Sequence, residues 1–494
     1  MSSDVNRPGR IARGCVLVAV VVAPWLFGAG DTWAYMVLCL LIYIGAIFWL
    51  FRVLGSQETH IRAAGTTVVL LAVAVLAVFQ ILPLPSGFVR QISPVAAEAQ
   101  REARALVRTA GVSEFVPAGV SVSAHSQTLS ASPGAGRHSL YLVAAAIAVF
   151  VVTANCFHRW HELRWAVTVL VGSSFIMAVL GIIHEFSGNT AVLWLHEPHF
   201  GGSVFGPFAN PNHYALHMNM ALGAALGLLL AAVRRAKLRE SRSWRELLGM
   251  ASTRSGGRVV LLAFAIAVMG GSVCISLSRG GIVSLMGAIG GLSILLWMSG
   301  DNRRYGSIAA GACALVLAMV VWLGWEAVTS ELGTLVEVDP IRDGRTVAAG
   351  ATLDIFRKTP VLGTGFGTFQ YVFPSFQPAS LPHRWLYAHN DYVQLLAEGG
   401  LVAGLALGAA VFLYGQYVRV RWKRTRRRGQ LLALGLLMGL GAAAVHSAIG
   451  FGLHMPANLF LFAALAGFCV AAVHVKDRSD IGDSSSNRGK GVKR

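Results

Sequence analysis

The sequence predicts an all-α, polytopic membrane protein with about twelve transmembrane helices. Hydrophobic residues make up 55% of the chain and charged residues only 13%. The apolar residues collect in runs of about 18 to 23, each long enough to cross a hydrocarbon layer roughly 30 Å thick. Because backbone groups in lipid must be paired within their own segment, and because the runs lack the alternation of barrel strands, we expect the spans to be helices. A soluble globular domain is excluded.

The positions of the apolar runs define the predicted spans. We place them near residues 14–30, 33–51, 65–82, 139–156, 165–183, 214–233, 259–277, 281–299, 306–325, 391–414, 431–449 and 456–474. The first run, after Arg7, Arg10 and Arg13, resembles a signal peptide, but a second span follows at once, so we predict an uncleaved helix. Residues 1–475 form one predicted integral-membrane domain, and residues 476–494, rich in Ser, Gly and Lys, form a predicted disordered tail.

The distribution of charge predicts the orientation. The formal net charge is +18, but basic residues concentrate in short connections, as at 234–258 and 419–428, where they orient a membrane protein rather than bind nucleic acid. With the N-terminus inside, every inner connection is basic, whereas the outer connection 326–390 carries five Arg or Lys against six Asp or Glu. We therefore predict cytoplasmic termini and three outer loops, 85–138, 187–213 and the large loop 326–390 between spans nine and ten.

The cysteines predict neither a disulfide framework nor a zinc site. All six lie inside or at the edge of apolar runs, and no CxxC motif or Cys/His cluster is present. They are Cys15, Cys39, Cys156, Cys274, Cys313 and Cys469. We expect no metal and no cofactor.

Arg279 is a candidate anion-binding residue. It lies between two apolar runs of about 20 residues each, a length that spans a membrane, and Gly280 and Gly281 follow it as a tight reversal. An arginine so near membrane depth usually faces a cavity, a partner or an anionic ligand. The alternative is an anchor whose guanidinium reaches the outer interface.

Arg345, with Arg342 nearby, lies at the start of a predicted surface helix over 344–358. Guanidinium groups bind phosphate oxygens bidentately, so two or three of them on one outer cavity would suit a diphosphate. The alternative is pairing with Asp343 or Asp354. Two further cations of the same predicted helix are equally suited, namely Arg357 and Lys358.

The glycine cluster Gly363–Gly367 permits two interpretations. Glycines allow a phosphate to approach the backbone closely. They also allow a chain to leave a helix after Pro360 and turn, and this second interpretation is favoured.

His389 opens the tenth predicted span. An imidazole titrates near neutral pH, so it is suited to remove a proton from a sugar hydroxyl as a general base. The alternative is an interfacial hydrogen-bonding role. Asn390 and Asp391 follow it and compete as the N-cap of the helix.

Two polar turns predict an outer cavity. Asn210, Asn212 and His213 surround Pro211 at the mouth of the sixth span. A second set surrounds the last reversal, namely His446, Ser447, His454 and Asn458. Transporter helices also carry such residues, so this pattern indicates a polar cavity and nothing more specific.

Taken in order, these motifs resemble the O-antigen ligase and O-antigen polymerase superfamily of bacterial inner-membrane glycosyltransferases. The resemblance covers about residues 200–470. Its motifs are Phe205-Gly-Pro-Phe-Ala-Asn-Pro-Asn-His213, Leu277-Ser-Arg-Gly-Gly281, Gly344-Arg345, Thr359-Pro-Val-Leu-Gly-Thr-Gly-Phe-Gly367, His389-Asn-Asp-Tyr-Val-Gln-Leu-Leu-Ala-Glu-Gly-Gly400 and His446-Ser-Ala-Ile-Gly-Phe-Gly-Leu-His-Met-Pro-Ala-Asn458.

The resemblance implies a metal-independent, inverting glycosyltransferase with a GT-C-like helical fold in the inner membrane, its active site facing the periplasm. The donor would be an undecaprenyl-diphosphate-linked glycan, and the acceptor lipid A core or another glycan chain. Arg279 and Arg345, with Arg342, would bind the diphosphate leaving group, and His389 would activate the acceptor hydroxyl. The supporting polar site would consist of Asn210, Asn212, His213 and Asn390.

This chain departs from the family pattern at two places. Members often have an aromatic residue a few positions after the loop arginine, where this chain has small residues at 348–350, and many have an acid where Gly450 stands. Glu398 fits the motif, but two turns into a span it is equally suited to a structural hydrogen bond.

Two alternative functions remain from the sequence. A protein O-oligosaccharyltransferase would use the same donor with a serine or threonine acceptor. A secondary transporter or polysaccharide exporter, with twelve helices and both termini inside, belongs to another class. Against it, the chain shows no matching halves, and its polar residues gather at the outer ends of spans.

Overall fold

The computed structural model of the protein describes residues 7–55, 60–109, 126–197, 203–235, 253–298, 340–381 and 383–475, together with Gly311. Within these ranges the chain is helical apart from loops and one short antiparallel strand pair, β1 (Leu84–Pro85) with β2 (Ser126–Gln127). The predicted all-α class is confirmed.

The α-helices of the described ranges are numbered here in chain order. They are α1 (Arg7–Val22), α2 (Thr32–Leu54), α3 (Ala64–Ile81), α4 (Ser86–Ile92), α5 (Pro94–Thr109), α6 (Pro133–Cys156), α7 (Trp160–Phe186), α8 (Pro211–Arg235), α9 (Arg254–Ile275), α10 (Arg279–Met298), α11 (Pro340–Lys358), α12 (Phe369–Val372), α13 (Asp391–Trp422), α14 (Arg427–Ser447) and α15 (Pro456–Ala472).

Nine helices of the described residues are long and apolar enough to cross a membrane, and α10 and α15 contain shorter apolar stretches. The nine begin at Arg7, Thr32, Ala64, Pro133, Trp160, Pro211, Arg254, Asp391 and Arg427. Each predicted span coincides with one of these eleven helices, except the one near 306–325. That span and the predicted tail at 476–494 lie outside the described residues. A polytopic, helical membrane protein is confirmed.

Helix α8 lies at the centre of the bundle, because 89% of the residues in its most apolar stretch are buried. Its Gly223 and Gly227 face Gly435 and Gly439 of α14. A Cβ at Gly227 would lie 2.7 Å from the Leu432 carbonyl oxygen, and one at Gly439 would lie 2.7 Å from the Met220 carbonyl oxygen. Small residues four positions apart allow two backbones to approach this closely, which is how helices gain contact area in lipid.

The α6, α3 and α7 termini meet at one end of the bundle, called here the basic end. Arg62, just before α3, donates hydrogen bonds of 3.0 Å to the carbonyl oxygens of Ala154 and Phe157. These carbonyls lie at the end of α6, where a helix has acceptors without partners of its own. Arg13 of α1 pairs with Glu162 of α7 at 2.7 Å. The basic residues thus hold the helix ends together at this side, and α6 begins at the opposite side.

Helix α13 is interrupted at Gly400, where φ is 65° and ψ is −168°. In an unbroken helix the amides of Leu401 and Val402 would donate to carbonyls one turn earlier. Here Leu401 donates to the Pro360 carbonyl at 2.8 Å, and Val402 donates to the Val361 carbonyl at 3.3 Å. The segment that follows α11 has therefore entered the hydrogen-bond ladder of α13.

The carbonyls released by this interruption are paired with the same segment. The Ala397 carbonyl accepts from the Thr364 amide at 3.0 Å, and the Glu398 carbonyl accepts from the Gly365 amide at 2.9 Å. Gln80 of α3 completes the junction, because its Nε2 also donates to the Glu398 carbonyl at 3.0 Å. The helix loses its continuity here, but its buried polar groups keep their partners, as a membrane interior requires.

The glycine cluster of this segment forms a turn, as the sequence favoured. Gly363, Gly365 and Gly367 all have positive φ, and a Cβ at Gly365 would lie 2.6 Å from the Ser130 Cα. Every amide from Gly363 to Gly367 donates to a protein acceptor within 3.1 Å. The cluster therefore has no spare amide with which to bind a phosphate.

We predict that Gly435→Ala lowers the free energy of unfolding by about 1–3 kcal/mol, the usual cost of overpacking. The new methyl group would overlap the Gly223 carbonyl and the Gly227 backbone. Gly441→Ala on the same helix is the matched control, because a Cβ there meets nothing within 4 Å. The midpoint of thermal unfolding in detergent measures both. Equal midpoints for the two variants would contradict close packing of α8 on α14.

Candidate active site

A large cavity lies at the end of the bundle where α6, α8, α13 and α15 begin, called here the site end. Its volume is about 1260 Å³. The cavity brings together six residues that the sequence analysis named, namely Asn210, His213, Arg345, His389, Glu398 and His454. Its wall is also aromatic, with Trp385, Tyr387 and Phe451 among the lining residues.

Helix α11 places Arg345 on the cavity. An adjacent face of the helix is apolar, since Ala348, Ala351 and Ile355 are buried in a cluster with Phe369. Ala348 is 0% exposed, so this position, near which family members often carry an aromatic residue, is closely packed in this protein. Asp354, the alternative partner proposed for Arg345, pairs instead with Arg357 at 2.6 Å.

His389 lies between two aromatic rings on the cavity wall. Its ring centre is 4.9 Å from that of Trp385 and 4.5 Å from that of Phe451, both edge to face. Its φ of 53° lies in the left-handed region, which is uncommon for a residue with a Cβ. Within the described ranges its side chain makes no hydrogen bond.

The surroundings of His389 favour the neutral imidazole. Burial, and then the positive charge of Arg345, lower the pKa of His389 to about 4, against a weaker opposing effect of Asp391. The ring is therefore unprotonated near neutral pH and holds a lone pair with which it can accept a proton.

Asn390 provides the N-cap of α13. Its side-chain oxygen accepts from the amides of Tyr392 and Val393, each at 3.1 Å. Its Nδ2 donates to the Ala448 carbonyl at 2.9 Å. The cap ties the start of α13 to the end of α14, and it leaves the neighbouring carboxylate of Asp391 available for another partner.

That partner is His454, in the 3₁₀ turn Gly452–His454 before α15. The Asp391 Oδ1 accepts from the His454 Nδ1 at 2.8 Å. Burial disfavours the charged imidazole, but the hydrogen bond and charge of Asp391, together with Glu398, outweigh it and raise the pKa of His454. Asp391 Oδ2 is buried with no hydrogen-bond partner in the part of the chain that the structure describes.

The ring of Phe451 contacts Tyr387, His389 and His213. It stacks on Tyr387 at 4.5 Å, and His389 meets it edge-on at the same distance. His213 meets it edge-on at 4.8 Å. His213 is only 6% exposed, and neither of its ring nitrogens has a hydrogen-bond partner among the described residues. Two imidazoles that are distant in sequence therefore share one aromatic ring.

Two further residues that the sequence analysis predicted for the site, Asn212 and Arg279, do not line the cavity. Asn212 accepts a 2.7 Å hydrogen bond from Ser278, the residue before Arg279. Arg279 begins α10 with an exposed side chain, and it is not among the residues that line the cavity. Arg342 lies in the first turn of α11, where the structure describes only the backbone.

Glu398 has a structural role at the base of the cavity. Its carboxylate accepts from the Gly367 amide at 2.8 Å and from the Phe369 amide at 3.0 Å. Gln394, one turn earlier on α13, donates to it at 3.2 Å. The structural hydrogen bond that the sequence suggested for Glu398 is confirmed.

Sequence reasoning missed the pairing of Asp391 with His454. The two residues are 63 positions apart, and either alone has a common structural explanation. A weak signal was present, because a second capping residue directly after Asn390 is redundant and was therefore available for another role. Among the described residues, no group of three His, Cys, Asp or Glu side chains is arranged to hold a metal ion.

The fold and cavity define a class, a multi-pass helical membrane protein with a polar and aromatic site at one end of the bundle. Within it, the family model described as O-Antigen ligase matches residues 264–408, a range that contains Arg279, Arg345 and His389. The predicted resemblance to the O-antigen ligase and polymerase superfamily is confirmed over these residues. A search of the curated proteins finds no match.

We predict that Glu398→Gln lowers the free energy of unfolding by about 1–3 kcal/mol, the cost of leaving buried donors unsatisfied. An amide has one accepting oxygen, whereas two backbone amides donate to the Glu398 carboxylate. Thermal unfolding in detergent measures the effect. Glu102→Gln, at an exposed position of α5, is the control for the same change from acid to amide. An unchanged midpoint for Glu398→Gln would remove its structural role.

Proposed function

We propose that the protein is a glycosyltransferase that moves a glycan from an undecaprenyl-diphosphate carrier to an acceptor hydroxyl, as an O-antigen ligase or a polysaccharide polymerase. The family match supports O-antigen ligase-type activity on lipid-linked glycans. The observation that carries the proposal is that one cavity holds both a neutral imidazole, His389, and a guanidinium, Arg345. Glycosyl transfer from a diphosphate needs one group of each kind.

The size of the cavity supports two substrates. A volume of about 1260 Å³ exceeds the roughly 300–1,000 Å³ of ordinary small-molecule pockets. The aromatic wall formed by Trp385, Tyr387 and Phe451 offers flat apolar faces between polar groups, as sugar rings require. The cavity can therefore hold a donor sugar diphosphate beside an acceptor sugar.

The proposed scheme uses His389 and Arg345 on opposite sides of the reacting carbon. His389 takes the proton of the acceptor hydroxyl, whose oxygen attacks the anomeric carbon from the face opposite the diphosphate. The bond from that carbon to the phosphate oxygen breaks, which inverts the configuration. Arg345 stabilises the charge that develops on the departing diphosphate. Arg279 and Arg342 are proposed to extend this cationic surface along the carrier lipid. The scheme uses no metal ion.

Donor binding would also prepare the base. The charge of Arg345 is one of the causes that lower the pKa of His389. A bound diphosphate neutralises that charge, so the pKa of His389 rises toward its ordinary value and the imidazole becomes a stronger base. The base is therefore weak in the empty site and stronger when the donor is in place.

The basic end of the bundle supports a periplasmic site. Lys and Arg are enriched in cytoplasmic connections, and Arg52 and Arg62 lie at the basic end, away from the cavity. We propose that the protein lies in the bacterial inner membrane with both termini in the cytoplasm, in a GT-C-like arrangement. The cavity then faces the periplasm.

A transfer assay with purified protein tests the proposal. Detergent-solubilised protein is mixed with undecaprenyl-diphosphate glycan and, in separate reactions, with lipid A core, a second lipid-linked glycan or a serine-containing peptide. Transfer to the first supports a ligase, to the second a polymerase, and to the third a protein O-oligosaccharyltransferase. A transporter would transfer to none of them, because moving a substrate across a membrane makes no bond. No transfer by an intact protein would overturn the proposal.

We predict that His389→Ala lowers the rate of transfer by about 10²–10⁴-fold, the usual contribution of a general base. Membrane insertion and the thermal midpoint should stay close to those of the wild type, because the His389 side chain makes no hydrogen bond among the described residues. His161→Gln is the control, since His161 is an exposed histidine of α7 at the basic end and does not line the cavity. Retained transfer in His389→Ala would remove this residue from the catalytic role.

Arg345→Gln should move the acid limb of the pH–rate profile to higher pH. Arg345 lowers the pKa of His389, so its removal raises that pKa, and the neutral base then appears only at higher pH. The rate at the optimum should also fall by about 10²–10³-fold, as when an anion-stabilising donor is lost. Arg345→Lys keeps the charge and should leave the acid limb in place. An acid limb that is identical in Arg345→Gln and the wild type would contradict the proximity of the two groups.

A further inference from the structure

We propose that His454, positioned by Asp391, is a second catalytic histidine that donates a proton to the departing diphosphate. The proposal rests on the glycosyl transfer proposed above. It assigns the acid of the reaction to the 3₁₀ turn before α15, and it leaves the base at His389.

The geometry of the pair is that of an oriented proton donor. The 2.8 Å hydrogen bond to Asp391 uses Nδ1 of the imidazole, which leaves Nε2 as the nitrogen suited to face a ligand. His454 lines the cavity, and a hydrogen bond with the Phe451 backbone also raises its pKa. A carboxylate behind one ring nitrogen fixes the ring orientation and stabilises the imidazolium form.

The two histidines are matched as acid and base. Both touch the Tyr387–Phe451 stack, since Tyr387 is 5.0 Å from the His454 ring and Phe451 is 4.5 Å from the His389 ring. Burial and Arg345 keep His389 neutral, whereas Asp391 favours the protonated form of His454. Titratable groups whose environments differ in this way, on one cavity, are suited to opposite proton transfers.

A purely structural ion pair would not explain Asp391 Oδ2. This oxygen is buried and has no partner in the described part of the chain, although Oδ1 is paired. An unsatisfied buried polar atom costs about 1–3 kcal/mol, and a catalytic role is one explanation for such an atom in a native structure. His213, beside the same Phe451, likewise has both ring nitrogens without a hydrogen-bond partner among the described residues.

The charged groups around His454 come from several elements. Helix α13 contributes Asp391 and Glu398, and both favour the imidazolium. Helix α8 contributes His213, the loop before α13 contributes Tyr387, and His446 lies in the last turn of α14. Asp391 is the group in direct contact with His454.

The bonds and protons of the proposed step balance. The acceptor oxygen forms its bond to the anomeric carbon and gives its proton to His389. The bond from the anomeric carbon to the phosphate oxygen breaks, and the electron pair stays on the diphosphate. His454 Nε2 gives its proton to a diphosphate oxygen, whose second ionisation lies near pH 6 in ordinary phosphate monoesters. The histidines end with exchanged protonation states and are restored by water at the cavity mouth.

The test compares pH–rate profiles of the intact protein in the transfer assay, for the wild type, His454→Gln, Asp391→Asn and the His161→Gln control. In the wild type the alkaline limb reports loss of the His454 proton. His454→Gln should lose that limb and about 10²-fold or more in rate at neutral pH, as when a general acid is removed. Asp391 raises the pKa of His454, so Asp391→Asn should move the alkaline limb to lower pH. His161→Gln should keep the wild-type profile.

A pair of donor analogues separates chemistry from folding. A methylene-bridged diphosphate is a more basic leaving group than a difluoromethylene-bridged one, so a missing acid should slow the first donor more. The rate ratio between the two donors should be larger in His454→Gln than in the wild type. A role in stability alone would lower both rates equally.

The outcomes are distinct. If His454→Gln keeps the wild-type alkaline limb and donor ratio, the acid role is wrong. If His454→Gln does not fold, the limb of Asp391→Asn decides: a shift to lower pH supports the pair and an unshifted limb overturns it. If the wild type itself transfers to no acceptor, it is the proposed glycosyltransferase function that fails.

Discussion

The architecture of the site depends on the exchange of backbone hydrogen bonds at Gly400. Leu401 and Val402 take carbonyl partners from the segment after α11, and that segment uses the carbonyls that α13 gives up. In a low-dielectric interior an interrupted helix is tolerated only when another segment supplies the missing partners. The two segments therefore hold each other, and the loop before α13 is fixed at both of its ends.

This junction determines where the chemistry lies. The α13 start is anchored below by the junction and at its side by Asn390, whose Nδ2 reaches the Ala448 carbonyl of the turn after α14. Tyr392 adds a second link, since its hydroxyl donates to the Ala444 carbonyl at 2.8 Å. With the helix start held in this way, Asp391 faces the turn before α15. His454 is then within hydrogen-bond distance of it.

Burial beside fixed charges gives the two histidines their different properties. Burial disfavours the charged form of any imidazole, so the nearest charged side chain decides which histidine keeps its proton. His389 has Arg345 nearby and stays neutral, whereas His454 has Asp391 in contact and is biased toward the charged form. The same low dielectric would strengthen the attraction between Arg345 and the proposed diphosphate. In the proposed mechanism, donor recognition and proton transfer are thus linked through the charge of Arg345.

The sequence by itself determined the helical membrane class, the approximate spans and the superfamily, because long apolar runs and contiguous motifs are properties of neighbouring residues. It also identified Arg345, His389, Asn210 and His213, which the fold brings to one cavity. It did not reveal that Asn390 rather than Asp391 caps α13, since both side chains are suited to that position. Only the tertiary structure decided the pairing of Asp391 with His454, the exposed position of Arg279 and the full use of the amides from Gly363 to Gly367. Each of these depends on which helix ends meet in space, and local composition carries no record of that.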